Sequence, residues 1–393
     1  MTVSTSVKWA VSSMVGAPTL SGTAGSLIAL LDAFLVNGFG TKAVDSAQVT
    51  GGVCRMAITG ASAAQDHSVI QLAGVTGSGV TLNGLQRVKT ATASYVAFDC
   101  NLPDGPLTGA ITFKIAPLGW DKVFSKTNVA VYRSTDITGT RAFYRVDDSN
   151  ALYARVQMYE SMADVDTGVA VTPTTPAGGF YWHKRQYTGS DGGYWVVVGD
   201  SRLFYLMAAP NSLALAATSA GYGIRAYFAG DINSYRSGDA WSAALGGAPS
   251  SSYSDLQGCI FSSDATTGVV LQRLSHGIGS GAACGRFVTG LASAVSGVDA
   301  SMGAFPSRAD SGVRLSPIIL GDGVMSVGGP RGELPGAFHC PQTGVLTSYG
   351  AALSLKDGQG VFTGRKVASI GVGSLSGLAT GCGFLDVTGP WRA

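Results

Sequence analysis

Short β-rich runs separated by turn-forming residues constrain this chain more than any other feature of its sequence. From about residue 49 onward, runs of β-branched and aromatic residues alternate with Gly, Asn and Asp, a pattern typical of strands joined by turns. The 56 glycines follow no collagen period, and we find no repeat of about 20 to 50 residues. The sequence therefore predicts a mainly β fold in which glycine serves turns.

Individual runs predict particular strands and turns in the first half of the chain. Residues 111–115 alternate between apolar and polar side chains, which gives a strand one buried face. Residues 82–84 (LNG) and 103–105 (PDG) favour tight turns, because Gly and Asn accept a positive φ. These features predict a compact β-unit over residues 45–118.

Further strand pairs are predicted along the rest of the chain. Residues 129–133 and 142–146 can pair, as can the run at 153–159. Residues 194–198 and 202–206 flank the turn-forming sequence Gly-Asp-Ser, so we expect a hairpin there.

One helix is predicted, over residues 23–37. Its apolar side chains recur at helical spacing, Ser21 or Thr23 can cap its start, and Gly38 can end it. Residues 3–20 show no clear period, so they form either an arm that orders against a neighbouring subunit or a strand of the same domain. The apolar helical positions are Leu27, Leu30, Leu31, Phe34 and Leu35.

A connector is predicted at residues 172–179, because two prolines and two glycines resist regular structure there. A chain of 393 residues also exceeds what one core usually organises. We expect an arm and helix in residues 1–44, a β-barrel-like and sheet domain in 45–171, and a β-rich domain in 178–393. The expected fold class is mainly β, with a small N-terminal β-barrel or sandwich-like unit carrying one amphipathic helix and a larger C-terminal β-sandwich-type domain.

Charge is scarce in this chain. Charged residues make up 13%, about half the roughly 25% of an average soluble protein, and surfaces poor in charge tend to associate. The net charge of +2 comes without a dense Lys and Arg cluster, which argues against nucleic acid as a partner.

No apolar run can span a bilayer, so we expect a soluble, unprocessed protein without membrane insertion. Six widely spaced cysteines indicate buried reduced thiols.

The common enzyme signatures are missing from the sequence. It contains no phosphate-binding loop, no dinucleotide fingerprint, no HExxH motif and no GxSxG motif. Its four histidines are scattered. We therefore expect no enzyme activity, no catalytic or cofactor-binding residues, no cofactor and no metal site.

The densest set of carboxylates leaves a hydrolytic alternative open. A glycosidase needs two carboxylates facing one sugar bond, but Asp and Asn also favour turns by bonding their own backbone. We interpret residues 147–150 as a turn between strands, and a depolymerase is the minor alternative. The carboxylates concerned are Asp147, Asp148, Glu160, Asp164 and Asp166.

Aromatic residues are concentrated between residues 181 and 205. A flat aromatic face can stack on a sugar ring, yet such residues more often fill a sheet core or an interface. The candidate surface-binding aromatics are Tyr181, Trp182, Trp195 and Tyr205, with Tyr194 and Phe204 in the same group.

Several segments spread along nearly the whole chain resemble a family of proteins encoded among the tail genes of tailed phages and prophages. These are residues 7–9 (VKW), 16–33 (GAPTLSGTAGSLIALLDA), 35–40 (LVNGFG), 116–120 (APLGW), 122–124 (KVF), 145–148 (RVDD), 159–162 (YESM), 332–336 (GELPG) and 386–391 (DVTGPW). Residues 69–75, followed by 82–84 and 87–88, are also similar to a small β-barrel module of phage tail proteins, although Ala73-Gly74 replaces the usual Ser-Gly. The resemblance implies a virion protein and supplies no catalytic residues.

The leading expectation is therefore a virion structural protein, a baseplate or tail-tip subunit that is made in the host cytoplasm. It would join other tail proteins and further copies of itself in a symmetric ring. Its expected assembly residues are Trp9, Leu27, Leu31 and Phe34. The alternatives are a receptor-binding or adhesin subunit that recognises the host surface, and a capsid decoration or head-fibre protein.

Overall fold

A computed structural model describes residues 4–210, 224–252, 259–261, 268–273, 280–287, 302–322, 329–349, 353–372 and 381–392. The protein is mainly β, as predicted, with antiparallel sheets and few helices. The strands are β1 (Lys8–Val11), β2 (Leu20–Gly22), β3 (Phe39–Ala43), β4 (Ser46–Thr50), β5 (Val53–Ala57), β6 (Val69–Ala73), β7 (Gly84–Arg87), β8 (Thr90–Ala91), β9 (Tyr95–Asp99), β10 (Gly105–Leu107), β11 (Thr112–Ile115), β12 (Trp120–Lys126), β13 (Val129–Ser134), β14 (Phe143–Asp147), β15 (Tyr153–Tyr159), β16 (Ser161–Met162), β17 (Gly168–Val169), β18 (Phe180–His183), β19 (Gly189–Gly199), β20 (Leu203–Ala209), β21 (Arg225–Asp231), β22 (Asn233–Ser234), β23 (Ala243–Gly246), β24 (Val269–Arg273), β25 (Ser280–Phe287), β26 (Ser316–Asp322), β27 (Pro330–His339), β28 (Ser354–Asp357), β29 (Lys366–Val372) and β30 (Gly381–Asp386). The helices are α1 (Ser26–Leu31), a π-helix that continues it (Asp32–Asn37), α2 (Val345–Tyr349), and 3₁₀ helices at Gly77–Leu82 and Gly360–Phe362.

Residues 39–115 form a small β-unit of two sheets. One sheet has the order β10-β4-β5-β9-β8 and the other β3-β11-β6-β7. Phe113 and Ile115 of β11 are buried while Thr112 and Lys114 between them are partly exposed, so the predicted alternation is confirmed. Both sheets fall within the predicted unit except β3, which precedes it.

A third sheet has the order β12-β13-β14-β15-β18. The predicted pairing of residues 129–133 with 142–146 is confirmed, because β13 and β14 are antiparallel neighbours with Tyr132 opposite Tyr144. β18 pairs with β15 in the same sheet. Strands before and after the connector predicted at residues 172–179 therefore belong to one sheet. Within that connector, Thr172 forms a β-bridge with Met158.

The largest sheet contains fourteen strands within the described ranges and follows the order β1-β19-β20-β21-β23-β24-β25-β26-β27-β30-β29-β28, with β2 paired to β19 and β22 paired to β27. The predicted hairpin is present, since β19 and β20 pair with Val198 opposite Tyr205. β1 and β2 both pair with β19. Residues 8–11 and 20–22 are thus paired with a strand of their own chain, and the alternative of an arm ordered by a neighbouring subunit is wrong for β1.

The predicted helix is shorter at its start than expected. α1 begins at Ser26, and Gly25 before it has φ +81°. Neither Ser21 nor Thr23 caps α1; their hydroxyls bond each other at 2.8 Å. The helical path ends at Gly38, as predicted, and φ there is +71°.

The described cysteines agree with the expectation of reduced thiols. Cys54, Cys259, Cys340 and Cys382 are buried and free, and Cys100 is half-buried and free. Burial raises the pKa of both Cys54 and Cys382 to about 12, so these thiols stay protonated at neutral pH.

Candidate binding cleft

The four expected assembly residues lie in the interior of their own chain. Leu27 and Leu31 are fully buried, and Trp9 and Phe34 are at most 2% exposed. The indole of Trp9 also donates its N–H to the carbonyl of His67, at 3.2 Å. The prediction that these side chains form a docking surface is therefore wrong for this conformation, because their apolar faces complete the core of the same subunit.

Three of the four candidate surface-binding aromatics are also in the core. Trp182, Trp195 and Tyr205 are at most 1% exposed, and each directs its polar atom to a backbone carbonyl. Tyr181 is half-buried, and the Arg155 guanidinium lies 3.8 Å from its ring centroid. The prediction of a sugar-binding surface is therefore wrong for Trp182, Trp195 and Tyr205, because a buried ring offers no face to a ligand.

Two of the predicted carboxylates, Asp147 and Asp166, pair with the same guanidinium, that of Arg145, at 3.6 and 2.9 Å, whereas Asp148 has different partners. Asp148 is fully buried and its oxygens are engaged: Oδ2 accepts the N–H groups of Leu27 and Ile28 at 2.7 and 3.2 Å, and Oδ1 accepts the Lys184 ammonium. Asp164 and Asp166 lie on the surface instead. The interpretation of Asp148 as a simple turn residue is corrected, since it caps α1 from 121 positions away in the sequence.

Lys184 joins three segments beneath α1. Besides Asp148, its ammonium donates to the carbonyls of Thr23 and Asn150, at 2.7 and 3.0 Å. Its side chain is 1% exposed. The three acceptors match the three donors of an ammonium, so this buried charge is compensated and fully hydrogen-bonded.

Arg87 is a second buried cation that joins distant segments, and its acceptors are backbone carbonyls. Its guanidinium donates to Ser4, Val7 and His67 on one side, at 2.7 to 3.0 Å. On the other side it donates to Val387 and Thr388, at 3.3 and 3.0 Å. Burial lowers its pKa to about 10, and the charge of Asp386 works against that shift. The β-unit, the segment before β1 and the segment after β30 thus meet at one charged side chain.

A cleft of about 560 Å³ lies beside β28, at the end of the large sheet's strand order that is opposite β1. It is formed by residues 302 and 311–316, the end of α2, β28 and the 3₁₀ turn Gly360–Phe362. β28 is the last strand in the order of the large sheet. A cleft of this size falls within the range of about 300 to 1,000 Å³ that small-ligand sites occupy.

The floor and one wall of the cleft are aromatic. Phe384 is buried beneath it, and the Tyr349 ring meets Phe384 edge to face, with ring centroids 5.6 Å apart. Phe362 packs on Phe338 in the same way at 4.9 Å. Edge-to-face packing holds these rings in place, so Tyr349 and Phe362, both half-buried, present a fixed apolar wall.

Charged groups lie around the aromatic wall. The Lys356 ammonium is 5.8 Å from the centroid of the Tyr349 ring, within the range of a cation–π contact. Arg314 pairs with Asp310 at 2.8 Å on the surface, and Asp357 pairs with Lys366. Within the described part of the chain, Lys356 has no carboxylate within 4.0 Å, so its positive charge is not neutralised.

Exposed apolar side chains mark the mouth of this cleft. Met302 is 56% exposed and Val361 86% exposed. The Arg314 backbone N–H donates to Gln342 Oε1 at 2.7 Å, which holds the lining segment 311–316 in place. Sequence reasoning missed the cleft, and the signal available was Val361-Phe362 in a turn flanked by Gly358, Gly360 and Gly364, where apolar residues are unexpected.

Across the described ranges, no group of three or more His, Cys, Asp or Glu residues is placed to hold a metal ion. In the same ranges, no helix is long and apolar enough to span a membrane.

Comparisons with known proteins leave the family of the chain open. No protein-family model matches it, and no curated protein matches it either.

Proposed function

We propose that this protein is a structural subunit of a tailed-phage virion, located at the baseplate or tail tip. The segment resemblances spread along the chain support the virion, and the low share of charged residues supports assembly. The mainly β fold is compatible with membership of the virion and with assembly.

The observation that carries the proposal is the way distant segments are held together. β1 and β2 pair with β19, and Arg87 bonds carbonyls that lie 83 positions before it and 301 positions after it. Separating these segments would expose a buried charge and five carbonyl acceptors. A subunit that must keep its shape among neighbours benefits from contacts of this kind.

The assembly surface must differ from the predicted one, because the expected residues are internal. Exposed apolar side chains remain on the described surface outside the cleft, among them Ile137 at 83%, Tyr187 at 70% and Val80 at 54% exposure. Neighbouring subunits would dock on such preformed positions, so little conformational entropy is lost on assembly.

The test is incorporation into particles. Phage particles made by a producing host are purified, and the protein is located by mass spectrometry and by a density map of the intact particle. We expect copies on the tail. Absence of the protein from purified particles would contradict the virion proposal, and copies on the head would contradict the tail position.

Single charged substitutions then test how the subunit docks. Ile137→Asp, Tyr187→Asp and Val80→Asp each place a charge at an exposed apolar position, and Ala93→Asp adds the same charge at an exposed small residue. At least one of the three should reduce incorporation about tenfold or more, since a charge in an interface core costs several kcal/mol, while Ala93→Asp incorporates normally. Normal incorporation of all three would show that docking does not use these positions.

A second candidate function is attachment to the host surface, and the cleft beside β28 favours it. The cleft combines a fixed aromatic wall with an unneutralised Lys356. If the subunit serves attachment, particles carrying a cleft variant should assemble normally and adsorb poorly to host cells.

A further inference from the structure

We infer that the cleft beside β28 binds an acidic saccharide, a sugar unit that carries a carboxylate. The inference rests on the second candidate function, host attachment, and names its ligand class. It concerns the surface formed by Tyr349, Lys356, Phe362 and Arg314, none of which belongs to the aromatic group predicted from the sequence.

The shape of the cleft suits a compact ligand. Its volume of about 560 Å³ can hold one or two sugar rings, within the ordinary range for small-ligand sites. Three separate segments wall it: residues 311–316, β28 with Gln359, and the 3₁₀ turn with Val361. A ligand there would be contacted from several sides, as specific recognition requires.

The apolar wall suits the face of a sugar ring. Tyr349 and Phe362 are half-buried and held edge to face by Phe384 and Phe338. A sugar ring has a C–H face that packs on such a platform while its hydroxyls point to polar groups. Ser311, Ser316 and Gln359 line the same cleft and offer those groups.

The charge of the cleft selects an anion. Among the residues that line it, Lys356 and Arg314 are cationic and Asp357 is anionic. Asp357 is paired with Lys366, whereas Lys356 has no carboxylate partner among the described residues. A carboxylate on the ligand would pair with the Lys356 ammonium through a charge-assisted hydrogen bond.

Alternative polyanions fit this geometry less well. Binding to nucleic acid draws most of its affinity from several phosphate contacts, and the cleft has one unneutralised cation. A single carboxylate beside an apolar ring face matches both the one free charge and the adjacent aromatic wall.

The experiment measures binding of the full chain to defined saccharides. The probes are N-acetylneuraminic acid and a glucuronic-acid-containing tetrasaccharide, each with its methyl ester, which removes the charge and keeps the ring. Binding is followed by saturation-transfer NMR and calorimetry. We expect at least one acid to bind, its ester to bind at least tenfold more weakly, and affinity to fall as salt rises.

Variants connect the binding to the cleft. Lys356→Met should weaken binding of the acid at least tenfold while leaving the weak binding of the ester unchanged, and Lys356→Arg should restore part of it. Tyr349→Ala should weaken both ligands. Lys89→Met is the control, since Lys89 is an exposed lysine that does not line the cleft.

The outcomes separate this inference from the proposed function. Failure of both acids and of a wider array of acidic saccharides, equal binding of acid and ester, or unchanged binding by Lys356→Met would each overturn the ligand class. Poor adsorption of Lys356→Met particles together with no saccharide binding would keep host attachment and reject the ligand. Saccharide binding with normal adsorption of those particles would keep the ligand and reject attachment.

Discussion

Lys184 and Arg87 are both buried cations that join distant segments, yet their charges are compensated differently. Lys184 faces the carboxylate of Asp148 and two carbonyls. Arg87 donates to five carbonyl oxygens, and no carboxylate among the described residues accepts from it. The planar fork of a guanidinium can spread its charge over several acceptors, whereas an ammonium acts as a point charge.

This difference shows two ways in which a buried cation can join distant segments of a β-protein. The Lys184 site depends on a counter-ion, so it is sensitive to the loss of one carboxylate. The Arg87 site depends on three chain segments that bring their carbonyls to one place, so it is sensitive to the loss of the side chain itself. Four predictions test the contrast, from the largest expected effect to the smallest.

Arg87→Met should have the largest effect. It removes the guanidinium donor from five carbonyls, of which, in the described part of the chain, only that of His67 keeps a second side-chain donor, the Trp9 indole N–H, so we expect the free energy of unfolding to fall by about 5 kcal/mol. Urea denaturation measures the change. Arg55→Met is the control, because Arg55 is exposed and stacks on Tyr95 at 4.0 Å, a contact worth about 1 kcal/mol or less. Equal losses in the two variants would show that Arg87 does not join the segments.

Asp148→Asn should lower the free energy of unfolding by about 4 kcal/mol, because the Lys184 ammonium is left buried without its counter-ion. The double variant Asp148→Asn with Lys184→Met removes that charge as well. We expect it to be more stable than the single variant in the same denaturation assay. A double variant as unstable as the single one would mean that the α1 cap, and not the charge, dominates.

His183, next to Lys184 in the chain, provides the pH test. Burial, aided by the charge of Arg225, lowers its pKa from 6.5 to about 4, and its Nδ1 lies 2.9 Å from the Tyr227 hydroxyl. The folded state therefore resists a proton that the unfolded chain accepts below pH 6.5. The stability that neutral His183 contributes is fully present above pH 6.5 and is lost as the pH falls to about 4, up to about 3 kcal/mol.

The measurement is urea denaturation at several pH values between 7 and 4. His183→Asn keeps a polar atom near the Nδ1 position and cannot take up the proton. The stability of the protein should approach that of this variant as the pH falls. Two parallel curves would contradict the titration of His183.

Asp166→Asn should have the smallest effect of the set. Asp166 pairs with Lys126 and Arg145 at 2.6 and 2.9 Å, but it is half exposed, and solvent and salt screen such pairs. We expect a denaturation midpoint close to that of the unchanged protein, and no difference at high salt. A loss as large as that of Asp148→Asn would show that pairing matters more than burial.

Local elements were predictable because their causes lie within a few residues. The alternation at residues 111–115, the pairing of β13 with β14, the β19–β20 hairpin and the helix end at Gly38 each follow from short-range patterns and turn residues. The start of α1 was missed by three residues, since its cap comes from Asp148 and not from Ser21 or Thr23.

The expected functional residues were harder to predict, for a related reason. Trp9 and Phe34 are apolar enough that burial was expected, but hydrophobicity does not say whether the covering surface belongs to the same chain or to a neighbour. The cleft was invisible because it joins residues 302, 311–316, 349 and 356–362, which carry no motif.

By itself the sequence determined a mainly β chain, with its strands, turns and single early helix, because side-chain period and turn chemistry act locally. Only the tertiary structure decided which residues face inward, what compensates the buried charges, and where a ligand could enter. Arg87 meets Thr388 from 301 positions away and Asp148 meets Leu27 from 121. Such pairings are selected by the packing of whole sheets, since each buried charge must find its partners in the folded chain.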